Sequence, residues 1–239
     1  MIVSVARILG KRAATMASLV KLAHTIFAAP FAIAAMLLAT RVPHQAITVT
    51  RVLAVALCLV SARTAAMAYN RLVDRDIDRD NPRTKDRELP RGDVSPMGAL
   101  LLTLLAAVVF IAAAAVLGHL TALLAIPVLV VLLGYSHAKR FTWAAHLWLG
   151  VALGLAPGGA WLAMGAKPGL GIVWLMATVT LWVAGFDVLY SLQDEQFDRR
   201  VGLHSIPSRF GAERAVAISR GLHVGTVVCF TVVAIVDAA

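Results

Sequence analysis

The chain has 239 residues, 60% of them hydrophobic, with a formal charge of +9 and a mean hydropathy of +0.82. A soluble domain of this length has about 45–50% apolar residues, so the excess belongs in a solvent other than water. In so apolar a chain the basic residues follow the positive-inside rule and the anionic lipid surface, which excludes nucleic acid as a partner.

Residues 1–18 carry Arg7, Lys11 and Arg12 among short apolar pieces. No cleavage pattern follows them, so an interfacial amphipathic helix is expected there rather than a signal peptide. Seven membrane helices are predicted, over 22–40, 47–70, 96–117, 120–138, 144–164, 169–193 and 212–236. Most approach the roughly 20 apolar residues that a span needs. The expected fold is an all-α multi-span bundle, one membrane-embedded domain over 1–239. Pro30, Pro127 and Pro157 interrupt the apolar runs and read as kinks satisfied by neighbouring helices. The alternative at Pro157-Gly158-Gly159 is a widened internal cavity. Cys58 and Cys229 lie in apolar runs without CxxC spacing and read as core thiols.

Charge in the loops alternates. Loops after the first, third and fifth spans carry at most Arg41 or Lys167. The loop after the second span holds Arg71, Arg75, Arg79, Arg83, Lys85, Arg87 and Arg91, and the loops after the fourth and sixth hold Lys139, Arg140, Arg199, Arg200 and Arg209. This asymmetry predicts a cytoplasmic N-terminus and cytoplasmic even-numbered loops in a cell inner membrane.

The acids are more informative still. Of 13 acidic residues, Asp74, Asp76, Asp78, Asp80, Asp86, Glu88 and Asp93 form one cluster, and Asp187, Asp194, Glu195 and Asp198 form another. Both clusters follow even-numbered spans and so belong to the same membrane face. Asn70, Asp74 and Asp78 are four residues apart and make a slowly drifting stripe on a helix. On a continuous helix Asp187, Asp194 and Asp198 fall within about 40° of one another, at about 100° per residue. Each stripe begins while its helix is still apolar. A lone carboxylate there costs about 2.5–3.5 kcal/mol on insertion scales, and facing carboxylates repel. Magnesium offsets both costs, because it takes oxygen ligands and favours one or two carboxylates plus substrate phosphates. The predicted metal set is Asn70, Asp74, Asp78, Asp194 and Asp198. Asp76, Asp80, Asp86, Glu88 and Asp93 read instead as surface partners of the interleaved arginines.

The stretch Asn70-Arg-Leu-Val-Asp74-Arg-Asp-Ile-Asp78, with Asn81-Pro-Arg-Thr84 and Leu89-Pro-Arg-Gly92, resembles the first signature of the UbiA superfamily of intramembrane prenyltransferases. Asp187-Val-Leu-Tyr190-Ser-Leu-Gln-Asp194-Glu-Gln-Phe-Asp198 resembles the second. Three further pieces agree in order: His24-Thr-Ile-Phe-Ala-Ala-Pro-Phe31, Tyr135-Ser-His-Ala-Lys139-Arg-Phe-Thr142, and Gly202-Leu-His-Ser-Ile-Pro207 with Arg209-Phe-Gly211. The resemblance covers about residues 20–215. That family typically has nine membrane helices. The chain stops after the seventh apolar run, so the expected domain is C-terminally short, with a less enclosed tunnel and slower coupling.

The resemblance implies transfer of a polyprenyl group from a polyprenyl diphosphate to an aromatic acceptor of 4-hydroxybenzoate type in quinone biosynthesis, with magnesium as cofactor and the lipid bilayer as partner. It implies catalytic roles for Asp74, Asp194 and Tyr190. Asn70, Arg71, Arg83, Arg87, Lys139, Asp187 and His204 are the expected substrate-binding residues, His204 toward the acceptor. Tyr69 and Phe186 are further candidates for facing an allylic cation. His24, His44, His119, His137, His146 and His223 show no ligand spacing and read as structural. Two other readings stay open: a menaquinone-pathway acceptor of dihydroxynaphthoate type, and an ion-coupled transporter. The transporter reading is disfavoured because its acids would sit near the midplane.

Overall fold

The structure, a computed structural model, describes residues 19, 28–43 and 45–238. The expectations for residues 1–18, for His24 and for His44 lie outside the described residues. The described chain is helical, with α1 over Ala29–Ala39, α2 over Val49–Asp80, α3 over Pro96–Leu117, α4 over His119–Ala138 and α5 over Ala145–Ala163. Then come α6 over Leu170–Ser191, a 3₁₀ turn over Leu192–Asp194, α7 over Glu195–Val201, α8 over Ile206–Phe210 and α9 over Ala212–Ala238. Among the described residues, six stretches are long and apolar enough to cross a membrane: α2, α3, α4, α5, the stretch Leu170–Val201, and α9. The predicted first span is described only from Ala28, and its helix is the shorter apolar Ala29–Ala39.

Polar starts and stops frame these helices. Thr48 and Ser95 accept hydrogen bonds from the backbone N–H groups of Arg51 and Gly98, and so cap α2 and α3. Pro30 and Pro96 occupy first turns, where a missing N–H costs nothing. Pro127 and Pro157 lie inside helices that continue past them.

The bundle is built small side inward. Its buried residues are dominated by alanine, while Leu101, Leu105, Val108, Leu123, Ile126 and Val130 are exposed on the faces that lipid would cover. Lipid tails are as apolar as leucine, so close backbone approach, and not expulsion of water, holds such helices together. The α5–α6 contact illustrates this. Gly150, Gly154 and Gly158 form one stripe on α5, and a Cβ at Gly150 or Gly154 would come within 2.2 Å of Thr180 on α6. Gly158 rests on the Met176 side chain, so Pro157-Gly158-Gly159 serves packing at Gly158 and is open only at Gly159. α6 is flanked by α5 and α9, and α2 packs along α3.

One core cluster joins α1, α5, α6 and α9 around Met36, Trp161, Met164 and Leu175. Another, with Val188, Ile206 and Ala215, pins the segment after α6 against the start of α9. Between the ends of α2, α4 and α6 a cleft of about 180 Å³ remains.

Candidate active site

Helix α2 runs ten residues beyond its predicted end, so Asp74 and Asp78 remain helical and both are buried. Asn81 stops the helix in an extended conformation, and its Oδ1 accepts the Arg83 backbone N–H at 2.9 Å. Buried Thr84 donates its hydroxyl to the Asp78 carbonyl at 3.2 Å. These bonds fold the loop back over the end of α2. Arg87 Nη1 thereby reaches both Asp78 oxygens at 2.7 Å. Arg83 crosses to the second acidic segment, where its guanidinium donates two hydrogen bonds to the Asp194 carboxylate. Asn81 Nδ2 donates to the same carboxylate at 3.0 Å.

The α6 side is interrupted at its end. The 3₁₀ turn replaces the continuous helix that the Asp187–Asp194–Asp198 spacing assumed, yet all three carboxylates line the cleft, with Tyr190 and Ser191. Gly202 adopts the left-handed conformation (φ 74°) that ends α7. A reciprocal cap between Ser205 and Ser208 then starts α8, and the His204 backbone N–H donates to the Lys139 carbonyl at 2.8 Å. This ties the second acidic segment to the α4–α5 corner.

That corner supplies the remaining charge. Lys139 Nζ donates to Asp74 Oδ2 at 2.7 Å, Arg140 Nη2 donates to Asp74 Oδ1 at 3.0 Å, and Asn70 Nδ2 donates to Asp74 Oδ2 at 3.2 Å. His146 sits at the start of α5 with Nδ1 2.7 Å from Asp187 Oδ2.

Of the expected catalytic, substrate-binding and metal residues, all but Arg71 line the same cleft: Asn70, Asp74, Asp78, Arg83, Arg87, Lys139, Asp187, Tyr190, Asp194, Asp198 and His204. Arg71 is only 4% exposed and lies outside the lining, one position off the Asn70–Asp74–Asp78 stripe. Tyr69 hydrogen-bonds His137 at 2.9 Å and Phe186 is exposed, so neither ring borders the cleft. Three contributors were not singled out from the sequence as site residues. Asn81 stands inside a quoted motif, Arg140 follows Lys139, and His146, read as structural, is visible only through the fold that sets it against Asp187.

Asp74, Asp78 and Asp194 each face lysine or arginine, so the bases neutralise acids across the site as well as on the surface. On the surface, Asp76 pairs with Arg75 and Arg79, and Asp93 with Arg91. The hydrogen bonds to Asp194 hold the Arg83 guanidinium further above its ordinary range, against the opposing effect of partial burial. The Arg83 guanidinium also lies over the Tyr190 ring, 5.4 Å from its centre.

Among the described residues, no three His, Cys, Asp or Glu side chains converge closely enough to hold a metal ion by themselves. The donors around the cleft are chiefly amide, carboxylate and hydroxyl oxygens with basic groups interleaved, and of its two histidines His146 is already bonded to Asp187 and Ile206. Such a set fits magnesium, which accepts one or two carboxylates and completes its shell with water and phosphate oxygens. It does not fit zinc, which takes a compact nitrogen and sulfur cage.

Comparison with known proteins agrees with this architecture. The sequence profile of the UbiA prenyltransferase family matches residues 28–238. A 4-hydroxybenzoate octaprenyltransferase of Neisseria meningitidis serogroup C is 34% identical over 161 residues, 65% of this chain and 53% of that protein. The corresponding enzyme of Herminiimonas arsenicoxydans is 29% identical over 156 residues, 65% of this chain and 55% of its own length. The chain thus spans about half the length of the curated relatives it matches. Among solved structures, the apo UbiA homolog from Aeropyrum pernix K1 superposes with a TM-score of 0.84 at 37% identity, covering 91% of this chain and 81% of that one. A UbiA homolog from Archaeoglobus fulgidus, solved with GPP and Mg2+, shares the fold with a TM-score of 0.75 at 23% identity, covering 92% of this chain and 77% of its own. The chain belongs to the UbiA prenyltransferase family.

Proposed function

We propose that this protein transfers a polyprenyl group from an allylic polyprenyl diphosphate to the ring of a small aromatic acid of the 4-hydroxybenzoate type. The carrying observation is the convergence of two acidic helix ends, 113 residues apart at Asn81 and Asp194, with Arg83, Arg87 and Lys139 on one cleft. The names of the Neisseria relatives support the acceptor class, and the ligands of the Archaeoglobus homolog support a prenyl diphosphate with magnesium.

In this reading Asn70, Asp74 and Asp78 on one helix, and Asp194 and Asp198 on the other, hold the magnesium. When bound, magnesium supplies Lewis acidity to the diphosphate leaving group. Arg83, Arg87 and Lys139 now donate to carboxylates, and the same N–H groups serve diphosphate oxygens when substrate arrives. The Tyr190 ring, already faced by a guanidinium, offers a cation-stabilising surface to the allylic carbon once Arg83 turns to the diphosphate. The acceptor ring then attacks that carbon and releases a proton. The chemistry belongs in a cell inner membrane because the polyprenyl tail is soluble there, with the acidic loops on the cytoplasmic side.

Purified protein in lipid nanodiscs, given radiolabelled polyprenyl diphosphate and 4-hydroxybenzoate, tests this. Expected is a prenylated acid whose formation requires magnesium and stops with EDTA. Absence of any magnesium-dependent turnover of the diphosphate would overturn the reading.

A further inference from the structure

His146 is a buried histidine whose two ring nitrogens are both engaged. The Ile206 backbone N–H donates to Nε2 at 3.2 Å, so Nε2 is the acceptor and the proton sits on Nδ1. Nδ1–H therefore donates to Asp187 Oδ2 at 2.7 Å. One imidazole thus joins three separate elements: the start of α5, the deep end of the acidic ladder on α6, and the segment that carries His204 and Ser205 into the cleft.

Asp187 differs from Asp74, Asp78 and Asp194 in its ion partner, and from Asp198, which also lacks a lysine or arginine pair, in lying within α6 and not beyond its end. Among the described residues its ion partner is His146, whereas Asp74, Asp78 and Asp194 each face lysine or arginine. It also precedes Asp194 by seven residues, which is about 10 Å deeper along the helix. A carboxylate at that depth, with no lysine or arginine beside it, has no cation to draw a diphosphate toward it. It is a strong acceptor for an O–H donor. The group that meets this chemistry at that depth is the ring hydroxyl of the acceptor.

Resting on the function proposed above, we infer that Asp187 binds the ring hydroxyl of the aromatic acceptor and that His146 is the positioning residue that holds Asp187 in place. The histidine supplies one N–H donor to fix one carboxylate oxygen and leaves the other for the substrate. Its second nitrogen fixes the backbone beside Ser205, so the same ring sets the spacing between Asp187 and the opposite rim of the acceptor pocket. Glutamine also carries one donor and one acceptor on a side chain of similar reach. Leucine carries neither.

Steady-state kinetics of His146→Leu and His146→Gln in nanodiscs decide the point, with thermal unfolding of each variant as a check on the fold. Expected for His146→Leu is an acceptor KM raised about tenfold or more, as for one lost charge-assisted hydrogen bond, with the prenyl diphosphate KM within about twofold of the parent. His146→Gln should recover most of the acceptor KM. Unchanged kinetics in His146→Leu, a parallel rise in both KM values, or failure of glutamine to rescue would overturn the inference. Should His146→Leu not fold, Asp187→Asn decides instead. It keeps an acceptor for His146 and removes the charge, and the same selective rise in acceptor KM is expected. An unchanged acceptor KM there would overturn the inference. Wild-type protein that transfers to no acceptor at all would instead overturn the proposed function, so the two failures are distinguishable.

Discussion

Arg83 and Asp194 stand 111 residues apart in the chain and meet in a two-pronged ion pair across the cleft. The pair joins the loop after α2 to the end of α6. Its geometry uses the planar fork of the guanidinium, which lysine cannot reproduce. Arg83→Lys should therefore raise the KM for prenyl diphosphate several-fold, and Arg83→Ala should raise it about tenfold or more. Asp194→Asn should abolish turnover while leaving membrane insertion intact. Exposed Asp86 provides the control, and Asp86→Asn should change neither KM nor kcat.

Asp74 carries a second kind of information, because it is buried between two cations. Lys139 and Arg140 both donate to it, and their side chains are about one-third exposed. Asp74→Asn leaves two positive charges partly desolvated without an anion. Removal of one partner from a fully buried pair costs about 3–5 kcal/mol, and solvent access at the cations reduces that to roughly 1–2 kcal/mol. Loss of turnover should accordingly come with a lower unfolding temperature in detergent without magnesium. Asp198→Asn should lose turnover with little change in unfolding temperature, since among the described residues Asp198 has no lysine or arginine ion pair. Equal thermal stability of Asp74→Asn and parent would show that the Lys139–Asp74–Arg140 cluster contributes nothing to the fold.

Much of this organisation is legible in the residues. The acids at 74, 78, 194 and 198 announce themselves because carboxylates at the end of an apolar run need a reason to be there. Helix identity is equally plain, since 20 apolar residues in lipid have few alternatives. What is hidden is pairing across the chain. Nothing local to Arg83 indicates that it closes on Asp194 and not on Asp80 or Asp86. The histidine at 146 looks like any other in an apolar helix until α6 is laid beside it. Likewise the 3₁₀ turn at Leu192–Asp194 defeats an angular argument that assumes an unbroken helix, although the turn leaves the three acids on one cleft.

The glycine stripe of α5 gives a prediction about folding alone. A Cβ at Gly154 would meet Thr180 Oγ1 at 2.2 Å and the Met176 carbonyl at 2.9 Å. The Met176 carbonyl is backbone and cannot rotate away. Gly154→Ala should force α5 and α6 apart, at a cost of about 1–3 kcal/mol typical of overpacking. Gly159→Ala meets nothing within 4 Å and should be neutral or slightly stabilising. Thermal unfolding in a fixed detergent measures both. Similar losses for the two variants would mean that helix propensity, and not α5–α6 approach, governs this segment.

Orientation in the membrane is the last expectation, and it follows from charge. The end of α2 with the loop after it carries Arg71, Arg75, Arg79, Arg83, Arg87 and Arg91, and the segment after α6 carries Arg199, Arg200 and Arg209, while the loop between α5 and α6 carries Lys167 alone. Basic residues close to span ends stay on the cytoplasmic side, so the cleft should open to the cytoplasm. Lys85 and Lys167 are both exposed and sit on opposite expected faces, which makes them better reporters than the neighbouring Thr84, buried at 2% exposure. Single cysteines at 85 and 167, in a background where Cys58 and Cys229 are replaced by alanine, can be probed in intact cells with a membrane-impermeant maleimide. Position 167 should label in intact cells. Position 85 should label only after the membrane is opened. On the proposed function, a cytoplasmic cleft lets the charged diphosphate head enter from water while the apolar tail stays in lipid. Labelling at 85 from outside would reverse the protein in the membrane and would leave the diphosphate without that route to Arg83 and Lys139.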